Sequence, residues 1–393
     1  MDKSRIAQYF LNFGHTVDHL CMLIYPTVVL AMAPEFGMTY GEMLPLSTAG
    51  FVMFGAGSLP AGWLADRWSR RGMIMVFFIG IGVASILTGL ARTAWQIAAA
   101  LTLIGTFGAI YHPVGIAMLV SGREKVGRVL GVNGVWGNLG VAFAALIAGA
   151  LAYWINWRAA YIIPGIVAIA AGVAFAVLVP ADVGLAKAGR EAVTRAFPRS
   201  VLVHVFIVTA IATICGGIIF NSTTISMPKV FEERLAAFVS TTLGIGVLVS
   251  LVYGFAALAQ LCVGWWLDRR AIKSVFVPVV AMQVPLLLLA GASEHVLMLV
   301  VALAMMFFVF GQIPINDAII AAYTDERWRA RAYSVRYVMS FLGSALSVPL
   351  VAYSHRATGD FKQLFFVLTG LAFVTFLAAV TLPGTERKDV IRS

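Results

Sequence analysis

The sequence predicts an all-α membrane protein whose twelve transmembrane helices form two pseudo-symmetric six-helix bundles. Three observations carry that expectation: an apolar composition, a row of apolar runs of membrane-spanning length, and an internal repeat near half the chain length. Of 393 residues, 61% are hydrophobic and only 12% charged. A soluble chain needs about a quarter of its residues charged to clothe its surface. A surface this apolar is stable only against lipid, so the membrane class follows from composition alone.

An apolar run of about 20 residues crosses the hydrocarbon core as a helix. Such runs place spans near 8–33, 43–64, 72–91, 95–119, 126–152 and 159–179, then near 200–227, 239–266, 274–291, 295–320, 332–354 and 361–382. The basic opening Met1-Asp2-Lys3-Ser4-Arg5 has the charge of a secretory signal. The run behind it is too long for a signal core, contains His15, Asp18 and His19, and ends in no small-residue cleavage site. It reads as a retained first helix. Residues 1–179 then make an N-terminal bundle, the polar stretch 180–199 a cytoplasmic linker, and 200–393 a C-terminal bundle.

Charge sets the orientation. With both termini on one side, 22 of the 28 Lys and Arg residues fall in loops on that side and 6 on the other. The positive-inside rule makes the basic side cytoplasmic, with both termini inside a cell (inner) membrane. The net charge of +10 does not point to nucleic acid, because the basic residues form short clusters between apolar runs and not one basic face. Cys21, Cys215 and Cys262 stand far apart, with neither metal-ligand spacing nor a disulfide framework. No resident metal and no cofactor are expected.

The repeat is read from two loops. Gly62-Trp63-Leu64-Ala65-Asp66-Arg67, followed by Arg70-Arg71, is echoed by Gly264-Trp265-Trp266-Leu267-Asp268-Arg269-Arg270 at an offset of 202. Arg128-Val-Leu-Gly-Val-Asn133 matches Arg331-Ala-Tyr-Ser-Val-Arg336 at an offset of 203, and Leu139-Gly140 matches Leu342-Gly343 in the same register. Two matches at nearly one offset point to duplicated halves. A basic topogenic loop would explain the arginines, but not Gly and Asp at one spacing in both halves.

The motif Gly-x-Leu-Ala-Asp-Arg-x-x-Arg-Arg between the second and third spans, with its weaker copy after the eighth, resembles the signature loop of the major facilitator superfamily. The resemblance covers the whole chain in length, span count and repeat, and it implies the major facilitator fold. It also implies that Gly62, Asp66, Arg67, Arg70, Arg71, Gly264, Asp268 and Arg269 take part in conformational gating, by helping to lock an outward-facing state. A narrower resemblance, to the fosmidomycin-resistance branch of proton-driven drug exporters, rests on three patterns. These are His15 and Asp18 ahead of Tyr25-Pro26, Gly105-x-x-Gly108-x-x-x-His112-Pro113, and Asn133 followed by Gly137-Asn138-Leu-Gly140. The chain departs from that branch at Ala144-Ala145, where a Gly-Pro pair is expected. Its first-helix acid also sits one place early, with His19 in the expected slot.

The residues themselves say where function lies. The third, sixth and twelfth spans carry no strongly polar residue centrally, and the ninth carries only Gln283, so these helices can face lipid. The first span carries Asn12, His15, Asp18 and His19, the fourth Tyr111 and His112, and the fifth Asn133 and Asn138. The seventh carries Asn221 and a Ser-Thr-Thr run, the tenth Gln312, Asn316 and Asp317, and the eleventh opens with Arg336. An ionisable group at mid-bilayer costs at least about 2.5–3.5 kcal/mol and persists where it meets water or a partner. Asp18 is therefore the candidate proton carrier, with His15, His19 and His112 as relay; the alternative is a polar cluster that only joins helices. Tyr25, Tyr111, Asn133, Trp136, Asn138, Asn221, Gln312, Asn316, Asp317 and Arg336 are the candidate substrate contacts. Arg336 and Asp317 either pair with each other or leave the guanidinium for an anionic substrate group. Gly131, Gly134, Gly137 and Gly140 are expected to allow close helix contact, and Pro26, Pro113 and Pro314 to interrupt the backbone beside a cavity.

The function so read is secondary active transport by alternating access, with a small-molecule substrate, protons and the lipid bilayer as partners, no nucleic acid, and a monomeric state. Proton-coupled export of a small organic compound or drug leads. Proton-coupled uptake of an organic anion and transport of a metal ion or metal complex are the alternatives. An intramembrane enzyme is the weakest, since the chain has no His-Glu-x-x-His or Gly-x-Ser-x-Gly motif. It also has no Gly-rich phosphate loop ending in Lys-Ser/Thr, so ATP is not the expected energy source.

Overall fold

The computed structural model describes residues 3–121, 126–180, 198–324 and 326–383. Most of the expected linker, 181–197, lies outside the described residues, as do the Arg128 and Arg331 side chains that open the second repeat match. Among the described residues every regular element is helical. Eleven of the described helices are long and apolar enough to cross a membrane. A further crossing is the pair Tyr40–Ala56 and Ser58–Arg67, bent by 41°.

In chain order the spans are Arg5–Phe36, the bent pair, Arg70–Leu90, Ala94–Val120, Val129–Trp154, Ala159–Leu178, Arg199–Arg234, Thr242–Leu267, Ile272–Ala292, His295–Tyr323, Val338–Thr358 and Lys362–Thr381. With the bent pair counted as one crossing, the twelve expected spans are present in order.

Local chemistry explains the ends and breaks. Ser69 caps the third span by accepting from Gly72 N at 3.0 Å, and Thr93 with Gln96 forms a capping box at the start of the fourth. Proline lacks the N–H that would close a helical turn, and its ring displaces the carbonyl four residues back. Pro60 lies just past the bend of the second span. Pro26 opens the second part of the first span, where helix Lys3–Leu23 gives way at Ile24 to Tyr25–Met32. Pro113 sits in a π-helical turn, Tyr111–Gly115, inside the fourth span. Pro314 differs from expectation, because the helix His295–Tyr323 runs through it without a break.

The chain divides into two compact units. One comprises Met1–Gly189, Met227–Glu233 and Val239–Leu251; the other comprises Arg190–Ser226, Arg234–Phe238 and Val252–Ser393. Stretches of the seventh and eighth spans thus cluster with the first unit.

Within the first unit, the first span packs on the fifth, the second on the fourth and the third on the sixth. Within the second unit the same pairings recur six spans later. Ser347 on the eleventh span donates to Ile218 O on the seventh at 3.3 Å, Gly311 on the tenth lies against Val263 on the eighth, and the ninth packs on the twelfth. The repeat read in the loops is a repeat of packing as well. Among the described glycines the tightest approach is at Gly105, where a built Cβ would lie 1.9 Å from Gly50 O. Gly82 and Gly165 face each other in the same way across the third and sixth spans.

Candidate functional site

The first, fourth and fifth spans bring a polar cluster together inside the first unit. Helix periodicity begins it: Asn12, His15 and His19 are spaced i, i+3, i+7 and share one face of the first span, with Asp18 beside them. Asp18 is wholly buried near the middle of its span, roughly 20 Å along the helix from Arg5. Its Oδ2 lies 3.4 Å from His112 Nε2, an ion pair whenever that imidazole is protonated. Its Oδ1 accepts no hydrogen bond among the described residues. Gly108, one turn before His112, leaves room for that oxygen, since a Cβ there would stand 3.0 Å from Oδ1.

Asn133 on the fifth span is the hub of the cluster. Its amide Nδ2 donates to Asn12 Oδ1 at 3.0 Å and to the Tyr111 hydroxyl at 2.8 Å, and that hydroxyl donates onward to Leu11 O at 2.6 Å. Its backbone carbonyl accepts from His15 Nδ1 at 2.8 Å. A carbonyl can only accept, so His15 Nδ1 carries the proton in this bond and the neutral ring presents Nε2 as an acceptor. That Nε2 lies 3.1 Å from His19 Nε2. The His15 ring stacks on Tyr111 at 5.0 Å between centroids and meets His112 edge-on at 5.2 Å. Three imidazoles and one carboxylate thus face one another across two helices.

The network predicts its own cost of removal. Asn133→Leu removes the amide that donates to the buried Asn12 Oδ1 and to the Tyr111 hydroxyl, a loss of about 1–3 kcal/mol for a buried polar group left without its partner. The expected reading is a lower Tm of the detergent-solubilised protein; an unchanged Tm would mean that Asn133 does not hold the helices together.

The remaining sequence candidates fall into different surroundings. In the first unit, Tyr25 is buried and donates to Met43 O at 2.6 Å, tying the first span to the second. Trp136 is half-buried, and its carbonyl accepts from Thr16 Oγ1 at 2.7 Å; Asn138 is half-buried on the same span. In the second unit, Asn221 Nδ2 donates to Gly217 O of its own helix at 2.8 Å. Gln312 donates to Ala212 O at 3.1 Å and accepts from Gln283 Nε2 at 3.0 Å. Gln283 is fully buried, so the ninth span turns its one amide inward and not toward lipid: a buried amide needs a partner, and Gln312 supplies it. Asn316 is buried, and Arg336 Nη1 pairs directly with Asp317 Oδ1. Of the two expectations for Arg336, this structure holds the paired one.

The loop residues repeat as pairs. Arg67 lies over the Trp63 ring at 4.0 Å and Arg269 over the Trp265 ring at 4.1 Å, the same cation–π contact in both halves. Asp66 pairs with Arg70 at 2.8 Å on the surface, while Asp268 is exposed. Arg71 reaches farther, donating to Ala176 O at 2.5 Å and Val179 O at 2.6 Å, where it caps the open carbonyls of the sixth span. A Cβ on Gly62 would meet Pro113 at 3.4 Å, an ordinary contact beside the π-helical turn. Among the described residues Gly264 has open space around it, and so do Gly131 and Gly134, where close helix contact is the expectation for the latter two. Of the four fifth-span glycines, only Gly137 and Gly140 face a neighbour among the described residues: a Cβ would lie 2.6 Å from the His15 ring and 2.4 Å from Thr16 O. Gly137 and Gly108 thus border the site, a place the sequence does not assign them, because nothing in one chain says which glycine of a run faces a partner.

Comparison with known proteins agrees with this architecture. The family model of the Major Facilitator Superfamily matches residues 13–241 and 234–392. The multidrug resistance protein MdtG of Escherichia coli (strain SMS-3-5 / SECEC) is 24% identical over 341 residues, covering 84% of this chain and 81% of that protein. The puromycin resistance protein pur8 of Streptomyces alboniger is 30% identical over 146 residues, a match of 35% of this chain and only 29% of the relative's length. Among solved structures, a bacterial homologue of the human lysosomal transporter Spinster, in an inward-facing and unoccupied conformation, superposes with a TM-score of 0.75. That match covers 97% of this chain and 95% of the homologue at 14% identity, and carries the fold alone.

Proposed function

Because the chain belongs to the major facilitator superfamily, a family of multi-pass membrane transporters and not of enzymes, we propose that it exports small organic compounds by alternating access, driven by protons. The observation that carries this reading is Asp18: a carboxyl wholly buried at mid-span, with one oxygen facing His112 and the other accepting no hydrogen bond among the described residues. A carboxylate so placed costs several kcal/mol in its charged form unless a proton or cation joins it, which ties its occupancy to the conformation of the helices around it. Asp18 is the carrier in this proposal, and His15, His19 and His112 pass the proton to and from it.

Drug-like substrates are favoured by the names of the relatives, one a multidrug and one a puromycin resistance protein. The fosmidomycin-resistance pattern around His112 and Asn133 supports the same class. The candidate substrate contacts are proposed for each unit by itself, Trp136 and Asn138 in the first and Asn221, Asn316, Asp317 and Arg336 in the second. The Arg71, Arg67 and Arg269 loops belong to the gate, on the cytoplasmic face of an inner membrane with both termini inside.

Proteoliposomes holding a pH-sensitive dye test the proposal. With a gradient imposed in either direction, puromycin, fosmidomycin and a panel of drugs and organic anions are added one at a time. A substrate should discharge the gradient and accumulate against the proton flow. Transport indifferent to a gradient of either sign would remove the coupling; accumulation along the proton flow would replace export with uptake.

A further inference from the structure

We propose that His15, His19, His112 and Asp18 together bind one borderline divalent transition-metal ion of the zinc class. The three imidazoles each offer a ring nitrogen, and these atoms lie within 4.8 Å of one another. A tetrahedral zinc ion with bonds of about 2.0–2.1 Å holds its ligand atoms roughly 3.3 Å apart. His15 Nε2 and His19 Nε2 are 3.1 Å apart, and His112 Nε2 and Asp18 Oδ2 are 3.4 Å apart. Two ligand pairs therefore already have the separation of a tetrahedral edge, and small side-chain rotations close the rest.

A second observation is independent of those distances. Metal-bound histidine characteristically donates its other ring N–H to a carbonyl or carboxylate, which fixes the tautomer and aims the free nitrogen at the metal. His15 does so: Nδ1 donates to Asn133 O at 2.8 Å, and Asn133 is itself held by Asn12 and Tyr111. This leaves Nε2 pointing at His19. Gly137 gives the ring its space, since a Cβ there would stand 2.6 Å from it.

The donor set selects the ion. Imidazole nitrogen suits zinc, cobalt, nickel and copper, whereas magnesium and calcium demand shells of oxygen. Three neutral imidazoles and one carboxylate against a divalent ion leave a single positive charge, with the buried carboxylate neutralised. His19 is partly exposed, whereas the other three are buried.

The test uses tag-free, full-length protein in detergent micelles, stripped with a chelator and titrated with CoCl2 and then ZnCl2. Wild type should take up one equivalent of cobalt, develop the strong visible absorption of a four-coordinate site, and lose it as zinc displaces the cobalt. His19→Ala, His19→Gln and Asp18→Asn should each weaken cobalt binding by at least about tenfold. His295→Ala, a histidine of the second unit, should leave it unchanged. Absence of saturable uptake by wild type, or equal affinity in the His19 and Asp18 variants, overturns the site. Because occupancy is read at equilibrium without a gradient, its failure leaves proton-driven export standing, and the failure of pH-driven transport leaves the metal site standing.

Discussion

Asp18→Asn is expected to abolish pH-driven accumulation while leaving the protein folded. A pH difference of one unit stores about 1.4 kcal/mol per proton, enough for about tenfold accumulation of a neutral solute exchanged one for one. Asparagine has the size of aspartate but no proton to exchange, so the variant should bring accumulation down to the protein-free background. Folding should not suffer. The Asp18 carboxyl has an oxygen that accepts no hydrogen bond among the described residues and lies wholly out of solvent, and replacing it with a neutral amide removes a charge that is costly in hydrocarbon. The check is paired: accumulation in proteoliposomes under an imposed gradient, and Tm in detergent. Accumulation equal to wild type would take the carrier role away from Asp18. His112→Gln belongs in the same series, because it removes the imidazole 3.4 Å from the carboxylate while keeping a polar side chain there.

Gly105→Val should destabilise the fold more than any other single change at the described glycines. A Cβ at Gly105 would lie 1.9 Å from Gly50 O, 2.6 Å from Gly50 C and 2.8 Å from Gly50 Cα. The obstacle is backbone, so no rotamer change relieves it and the second and fourth spans must separate. Overpacking of a core costs about 1–3 kcal/mol even where side chains can adjust; here the cost should reach or pass the upper end. The fourth span also carries Gly108, Tyr111 and His112, so a shift of that helix also disturbs the contact with Asp18. The measurement is the yield of monodisperse protein and its Tm. Gly131→Ala is the control: Gly131 faces open space, and an exposed helical glycine gains roughly 0.5–1 kcal/mol as alanine. Equal Tm for wild type and Gly105→Val would show that the two backbones do not meet.

What the sequence by itself determined is the class, the twelve crossings and the duplication. Lipid supplies no hydrogen bonds, so each crossing must be a self-satisfied helix of a length set by the bilayer, and that length is written directly in the apolar runs. Helical periodicity also made one face of the first span legible, with Asn12, His15 and His19 in register and Asp18 beside them. Only the tertiary structure decided which residues from other helices complete that face. His112 meets Asp18, Asn133 ties Asn12 to Tyr111, Gly137 faces His15 while Gly131 and Gly134 face no described residue, Gln283 turns inward to Gln312, and among the described residues Gly264 stands open where Gly62 does not. The reason is rotational. Spacing along one chain fixes which side chains share a face of their own helix, but the angle at which that face is presented, and to which neighbour, is set by the packing of whole helices against one another.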